Sequence, residues 1–363
     1  MKKLFCLVLL FLFLHTPFAS ALTFNITYDT SVLSSTNSAQ IQAAFATVAQ
    51  TFQNLCTNVA TINLTIYWGP TGPFTGGISL GRSQFALIGS TYSQITNALR
   101  TRRASDADTN SVASLPASDP TGAGPWLVPL AEARVLGLYP TNNSEEDGEI
   151  GFASNKNFTF DPNNRSVPGK FDFIAVAEHE LSEVLGRATT ELDPSFGFLP
   201  YDLFRFTNSG VRSLDLSTTT NAYFSVDNGV TALRFFYTNH NAGDIQDWKS
   251  VAGAPDSFDA LSSSNHLNPM STVDMVSMDV LGYNGPRLEP PRVYGTNLVN
   301  GNFQLRFVNS PGVSFTVLAA TNLTQPLGSW FVLGTAAESP AGQFQFIDTT
   351  KTNQQRFYLI RTP

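Results

Sequence analysis

The sequence predicts an α+β domain with one helix that carries the chemistry, followed by a small all-β sandwich. Three observations predict it. Strand-like and helix-like periods alternate from Leu22 to about Pro140, the segment Gly285-Pro286-Arg287-Leu288-Glu289-Pro290-Pro291 later breaks the chain, and only short β-type runs follow.

The first stretch has the form of a signal peptide: Lys2-Lys3, an apolar run from Leu4 to Leu14, and Ala19-Ser20-Ala21 with cleavage after Ala21. The run is shorter than the roughly 20 residues that cross a bilayer. No later segment is long and apolar enough to span either. The expected product is exported, extracellular or periplasmic, and not an integral membrane protein once the signal peptide is cut.

Residues 22–284 form the expected main domain. Thr23-Phe24-Asn25-Ile26-Thr27-Tyr28 alternates as a strand does. Ala39 to Leu55 reads as a helix, because Ile41, Ala44, Phe45, Val48, Phe52 and Leu55 recur every three or four residues on one face. Thr61 to Trp68 reads as a strand and Tyr92 to Arg102 as a helix. Ala104 to Gly124, rich in Ser, Asp, Ala and Pro without a period, predicts a long surface excursion or lid. Glu149 to Phe160 returns to strand-like alternation before Pro168-Gly169 interrupts it.

Residues 285–291 are the expected linker and 292–363 the expected sandwich, with short runs at Phe303–Phe307, Ser314–Ala319, Trp330–Leu333, Phe344–Ile347 and Phe357–Ile360. Its aromatics Trp330, Phe344, Phe346, Phe357 and Tyr358 are expected to fill its core.

Charged residues make up 13% of the chain, about half the roughly 25% usual in globular proteins. Losing Lys2 and Lys3 with the signal peptide takes the formal charge from −7 to −9. Such a surface excludes nucleic acid and anionic membrane as partners. Of the two cysteines, Cys6 falls in the signal peptide, so Cys56 has no intrachain partner and is expected to be a small buried hydrophobe.

The segment from Phe171 to Arg187 concentrates the chemistry. Ile174, Ala177, Leu181, Val184 and Leu185 form a helical stripe that should face the core. At about 100° per residue, His179 lies about 140° and Glu183 about 180° from Ile174, so both project from the opposite face one turn apart. Side chains at i and i+4 converge and can hold one ion, with Glu180 beside it to hold a water. Glu183 and Arg187 share the same spacing, and an exposed ion pair between them is the plainer reading.

His179-Glu180-Leu181-Ser182-Glu183, with Gly186 after it, resembles the metal helix HExxHxxGxxH of the zincin metallopeptidases, particularly secreted bacterial matrixin-like metzincins. His179 matches the first metal ligand, Glu180 the catalytic base and Gly186 the glycine that turns the chain. Glu183 stands where the second histidine would be, and Thr189 where the third would be. Tyr201–Phe206, Tyr223–Gly229, Gly243–Trp248 and Met270–Tyr283 extend the resemblance, which covers roughly Glu149 to Tyr283.

The resemblance implies a zincin-like, metzincin-type fold with a mixed twisted sheet and an active-site helix, a zinc ion, and an endopeptidase that hydrolyses polypeptide through metal-activated water with Glu180 as general base. The expected ligands are His179, Glu183 and a third residue drawn from Glu191, Asp193, Asp202, His240 and His266, of which Asp202 is preferred. A Met-turn is also implied, with Met270, Met275 and Met278 as candidates. A carboxylate is a harder donor than imidazole and adds negative charge, so Glu183 lowers the electrophilicity of the ion. The alternatives are an inactive exported binding or surface protein with the same fold, and a harder divalent ion such as Ca²⁺ or Mn²⁺ held for structure alone.

Overall fold

A computed structural model describes residues 22–122, 124–189, 196–214, 221–285, 291–309, 315–324, 330–340, 342–350 and 355–361. The expected signal peptide, most of the expected linker, and Glu191 and Asp193 lie outside the described residues.

The chain is mixed α+β. Its elements begin β1 (Leu22–Tyr28), α1 (Thr30–Leu33), α2 (Ser38–Leu55), β2 (Ala60–Trp68), β3 (Gly81–Phe85), β4 (Leu87–Ser90), α3 (Tyr92–Arg102) and α4 (Asp106–Ala113). Next come β5 (Trp126–Pro129), α5 (Leu130–Leu136), β6 (Gly148–Phe152), β7 (Phe158–Thr159), β8 (Phe171–Asp172) and α6 (Phe173–Val184). Then follow β9 (Arg205–Asn208), β10 (Val211–Arg212), β11 (Tyr223–Phe224), β12 (Arg234–Phe235) and α7 (Thr272–Val280). From Arg292 onward every described element is a strand: β13 (Arg292–Val299), β14 (Asn302–Val308), β15 (Thr316–Ala320), β16 (Phe331–Thr335), β17 (Ala337–Glu338), β18 (Gln343–Asp348) and β19 (Phe357–Arg361).

Four strands in the order β1-β2-β6-β3 form the sheet that positions the site. β1, β2 and β6 run parallel, while β3 closes the edge antiparallel to β6. In β1 and β2 the period of two puts Leu22, Ile62, Leu64 and Ile66 inward and Thr23, Asn25 and Thr27 outward. α2 buries Ile41, Ala44, Phe45, Val48 and Phe52, the predicted face, and packs against α6. Phe152 of β6 joins these layers, with its ring centroid 6.2 Å from Phe45 and 4.6 Å from Phe173.

Residues Leu22 to Tyr283 share one buried apolar cluster. Cys56 belongs to it as a free buried thiol, its pKa pushed up to about 12 by burial, with Asp279 adding to the shift. β13 to β19 form two further sheets, in the orders β13-β14-β18-β17 and β16-β15-β19, with their own clusters around Phe307, Phe315 and Phe344 and around Leu318 and Trp330. Phe344 is buried as expected, and Phe346, Phe357 and Tyr358 are partly buried against these clusters. β13 was missed because it is exposed along most of both faces, which leaves no alternation to read.

The expected excursion between Ala104 and Gly124 is the largest correction. It contains α4, which starts in a capping box: the Ser105 side chain accepts from the Asp108 backbone, and the Asp108 side chain accepts from the Ser105 backbone. Val112 and Leu115 are buried, and the Ser105 hydroxyl donates to Asp279 on α7. A helix of eight residues with so few apolar positions has no readable period, and its caps and docking hold it instead.

Asp108 gives this segment a pH dependence. It accepts from Ala104 N at 2.9 Å, yet burial and the neighbouring Asp279 push its pKa up to about 7. The ordinary value is 3.8, so between the two the folded chain holds a proton that the unfolded chain has lost, and stability falls as pH rises through that window. Asp108→Asn should therefore unfold at a higher temperature than the unsubstituted chain at about pH 8, the two converging toward about pH 4. A variant that is less stable at both pH values would show that the cap outweighs the buried charge.

Candidate metal centre

α6 starts where Asp172 caps it, its carboxylate accepting from Ala175 N at 3.3 Å. Arg165 fixes that cap, with Nε 3.0 and 2.9 Å from its two oxygens, and reaches Glu178 on the next turn at 3.3 Å. At the far end Gly186 has φ +116°, and a Cβ there would also press on the Glu132 carboxylate, so this turn needs glycine.

The predicted apolar stripe of α6 is buried throughout. The opposite face is not solvent-exposed as the periodicity implied. Glu180 is 6% and Glu183 5% exposed, because β3 and the segments around Gln246 and Ser257 close over them. Ser83 donates to Glu183 Oε2 at 2.7 Å and Gln246 Nε2 to Glu183 Oε1 at 3.1 Å. A local helical period cannot announce a covering strand and loops distant in sequence.

His179 Nε2 stands 3.4 Å from Glu183 Oε1 and 3.3 Å from Asp247 Oδ1. The ligand atoms of these three residues all lie within 4.8 Å of one another, and the group can hold a metal ion. Donors about 2.1 Å from a tetrahedral zinc ion stand roughly 3.4 Å apart, so both His179 separations fit. Nδ1 of the same ring lies 2.9 Å from the Ser257 carbonyl. With the proton on Nδ1, that bond leaves the Nε2 lone pair turned toward the carboxylates.

Asp202 is not part of the group. It is fully buried at the start of a short 3-10 turn, where its Oδ2 accepts from Leu199 N at 2.9 Å, and burial pushes its pKa up to about 7. This is the capping role of a short acid rather than ligation. Asp247 is the third member of the group instead. It lies in Gly243–Trp248, one of the segments that carry the resemblance, where the local signal is an acid beside a tryptophan: Trp248 is fully buried, its indole donating to Asp274 at 2.6 Å. His240 and His266 are exposed, Thr189 lines the cleft outside the three-residue group, and Met278 is buried in the main core with Met270 and Met275 half-buried.

The Glu183–Arg187 pair exists but is not a surface pair. Arg187 is fully buried, 3.6 Å from Glu183 Oε1 and 2.6 Å from Asp247 Oδ1, with its guanidinium carbon 4.4 Å from the Phe258 ring centre. Burial by itself lowers the His179 pKa, but Asp247 and Glu183 reverse that and hold it well above its ordinary 6.5. Glu183 and Glu180 move apart. Despite its burial, Glu183 is held below the usual carboxylate range by His179, Arg187 and Ser83, whereas burial and the charge on Glu183 raise Glu180 well above it.

The group opens on a cleft of about 910 Å³ between β3 and the loops at residues 242–247 and 256–262. Glu180 is on its wall, and among the described residues its carboxylate forms no hydrogen bond or ion pair. Gly81 of β3 comes so close that a Cβ there would meet the Glu180 carboxylate, so the approach of this edge strand depends on glycine. A three-donor group, an unpartnered carboxyl beside it and a cleft in front provide what metal-assisted hydrolysis needs.

Comparison with protein-family models, curated proteins and solved structures finds no match to this chain. Among the described residues no helix is long and apolar enough to cross a membrane.

Proposed function

We propose that the chain is an exported metal-dependent endopeptidase of zincin-like, metzincin-type architecture, followed by a small β-sandwich. The observation that carries this reading is Glu180: a buried carboxyl that makes no hydrogen bond or ion pair among the described residues, on a cleft wall, next to three convergent metal donors. The resemblance of His179 to Gly186 and of the segments out to Tyr283 supports it, as does the parallel sheet with an antiparallel edge strand beside the metal helix.

His179, Glu183 and Asp247 are the residues that would hold the ion; zinc takes both imidazole and carboxylate donors, while the second carboxylate moves the set toward a harder ion. When bound, the ion supplies Lewis acidity toward the scissile carbonyl of a polypeptide. Ser257 keeps the His179 ring in one orientation, and Ser83 and Gln246 fix the Glu183 carboxylate. Glu180 takes a proton from the attacking water and returns it to the leaving amine, a role favoured by a carboxyl whose proton affinity is raised by burial and by the charge on Glu183.

A second reading has its own observation. Arg187 lies 2.6 Å from Asp247, and a protonated His179 lies between Asp247 and Glu183, so the charges balance without any ion. On that reading the protein is an inactive exported binding or surface protein with a polypeptide or other extracellular ligand.

Metal analysis of the purified protein separates the two. The leading reading expects one zinc per chain, removed by chelator and absent from His179→Ala; thermal stabilisation by a harder ion such as Ca²⁺ or Mn²⁺ without any hydrolysis would narrow the role to structure. A chain that purifies without metal and whose unfolding is unaffected by added zinc would leave only the ion-pair reading.

A further inference from the structure

The His179, Glu183 and Asp247 group contains two carboxylates held within reach of each other. Ionised together they repel, and both donate strongly to an ion, which dulls its Lewis acidity. Arg187 answers both problems. Its Nη1 lies 2.6 Å from Asp247 Oδ1 and its Nη2 3.6 Å from Glu183 Oε1. These are the same two oxygens that face His179 Nε2. The guanidinium cannot drift: Nε donates to Ser182 Oγ at 2.8 Å, and the Phe258 ring lies against its flat face.

We propose that Arg187 is a positioning residue that compensates charge in a two-carboxylate metal centre, drawing electron density from both ligand oxygens so that the bound ion stays electrophilic, at some loss of affinity. This rests on the reading of the site as a metal centre. With Arg187 counted, the set has a net charge of one carboxylate rather than two. The glutamate that replaces a histidine in the helix is thus offset by a cation one turn further on.

The signature is a pair of effects of opposite sign. Loss of an orienting partner alone weakens metal binding, by roughly 10- to 100-fold. Removing a buried unit charge that shares two oxygens with a divalent ion strengthens it by more than that, even at an effective dielectric of about 20. Zinc affinity of the full chain is measured by competition with a chromophoric chelator, and peptide hydrolysis is followed in parallel. Arg187→Gln should bind zinc roughly tenfold more tightly or better and hydrolyse more slowly. Arg187→Lys, which keeps the charge without the fork, should keep an affinity within a few-fold of the unsubstituted chain.

Zinc affinity in Arg187→Gln that is equal or weaker would overturn the proposal while leaving the metal centre standing. An unsubstituted chain that binds no zinc would remove the metal centre itself, and the proposal with it. If Arg187→Gln folds only when zinc is supplied, the two carboxylates need a cation between them and the proposal holds. A variant that stays unfolded in zinc would make Arg187 a structural residue and sink the idea.

Discussion

Glu180→Gln is expected to lose peptide hydrolysis by about 10²- to 10⁴-fold, the usual contribution of a positioned acid or base, while binding zinc at least as well as the unsubstituted chain. Glutamine has the shape of the glutamate and cannot take up a proton. Glu180 is not one of the three convergent donors, and among the described residues its carboxylate bonds no neighbouring group, so the substitution breaks no described contact. Removing a buried carboxyl next to Glu183 relieves repulsion, so the variant should also be no less stable. Cleavage of an unfolded protein substrate and zinc content, measured on the same preparation, check this. Full chelator-sensitive hydrolysis by Glu180→Gln would remove Glu180 from the chemistry.

Arg134→Met is expected to cost about 3–5 kcal/mol, the penalty for leaving a buried charge without its partner. Arg134 and Asp147 are both fully buried, with Nε 2.6 Å from Oδ1. The same guanidinium donates to the Pro140 carbonyl at 2.7 Å and the Glu145 carbonyl at 3.1 Å, so it holds the loop that leads into β6. Asp147 in turn accepts from Asn63 N of β2 at 2.8 Å. Although Arg134 and Asn63 bond it, burial leaves the Asp147 pKa raised. Without Arg134 that carboxyl must take up a proton or admit water. Urea denaturation at neutral pH measures the effect. Adding Asp147→Asn should recover part of the loss, because a neutral amide tolerates burial better than an unpaired carboxylate. A loss of less than about 1 kcal/mol in Arg134→Met would mean that water reaches Asp147 and that the loop does not depend on the pair.

Much of the fold was legible because it rests on local periods. α3 spans the predicted Tyr92 to Arg102, and β1, β2 and α2 differ from their predicted bounds by one residue at one end. Where no period exists, as in α4, or where a strand is exposed on both faces, as in β13, side-chain pattern gives no signal and caps or hydrogen-bonded neighbours make the element. The site divided along the same line. His179, Glu180 and Glu183 could be placed together because they share one helix and its fixed rise. Asp247 could not, since it reaches Glu183 from 64 residues away through a loop that has no period of its own.

The spacing of a histidine and two glutamates along one helix, and the glycine at its end, follow from local sequence, because i to i+4 geometry and a positive φ are local properties. The tertiary structure alone decided which residue completes the group, and that Arg187 is buried against both carboxylates rather than paired with one at the surface. The physical reason is that burial and charge are set by what packs against a helix. Here those neighbours are Ser83, Gln246, Asp247 and Ser257, which come from strands and loops that only folding brings together.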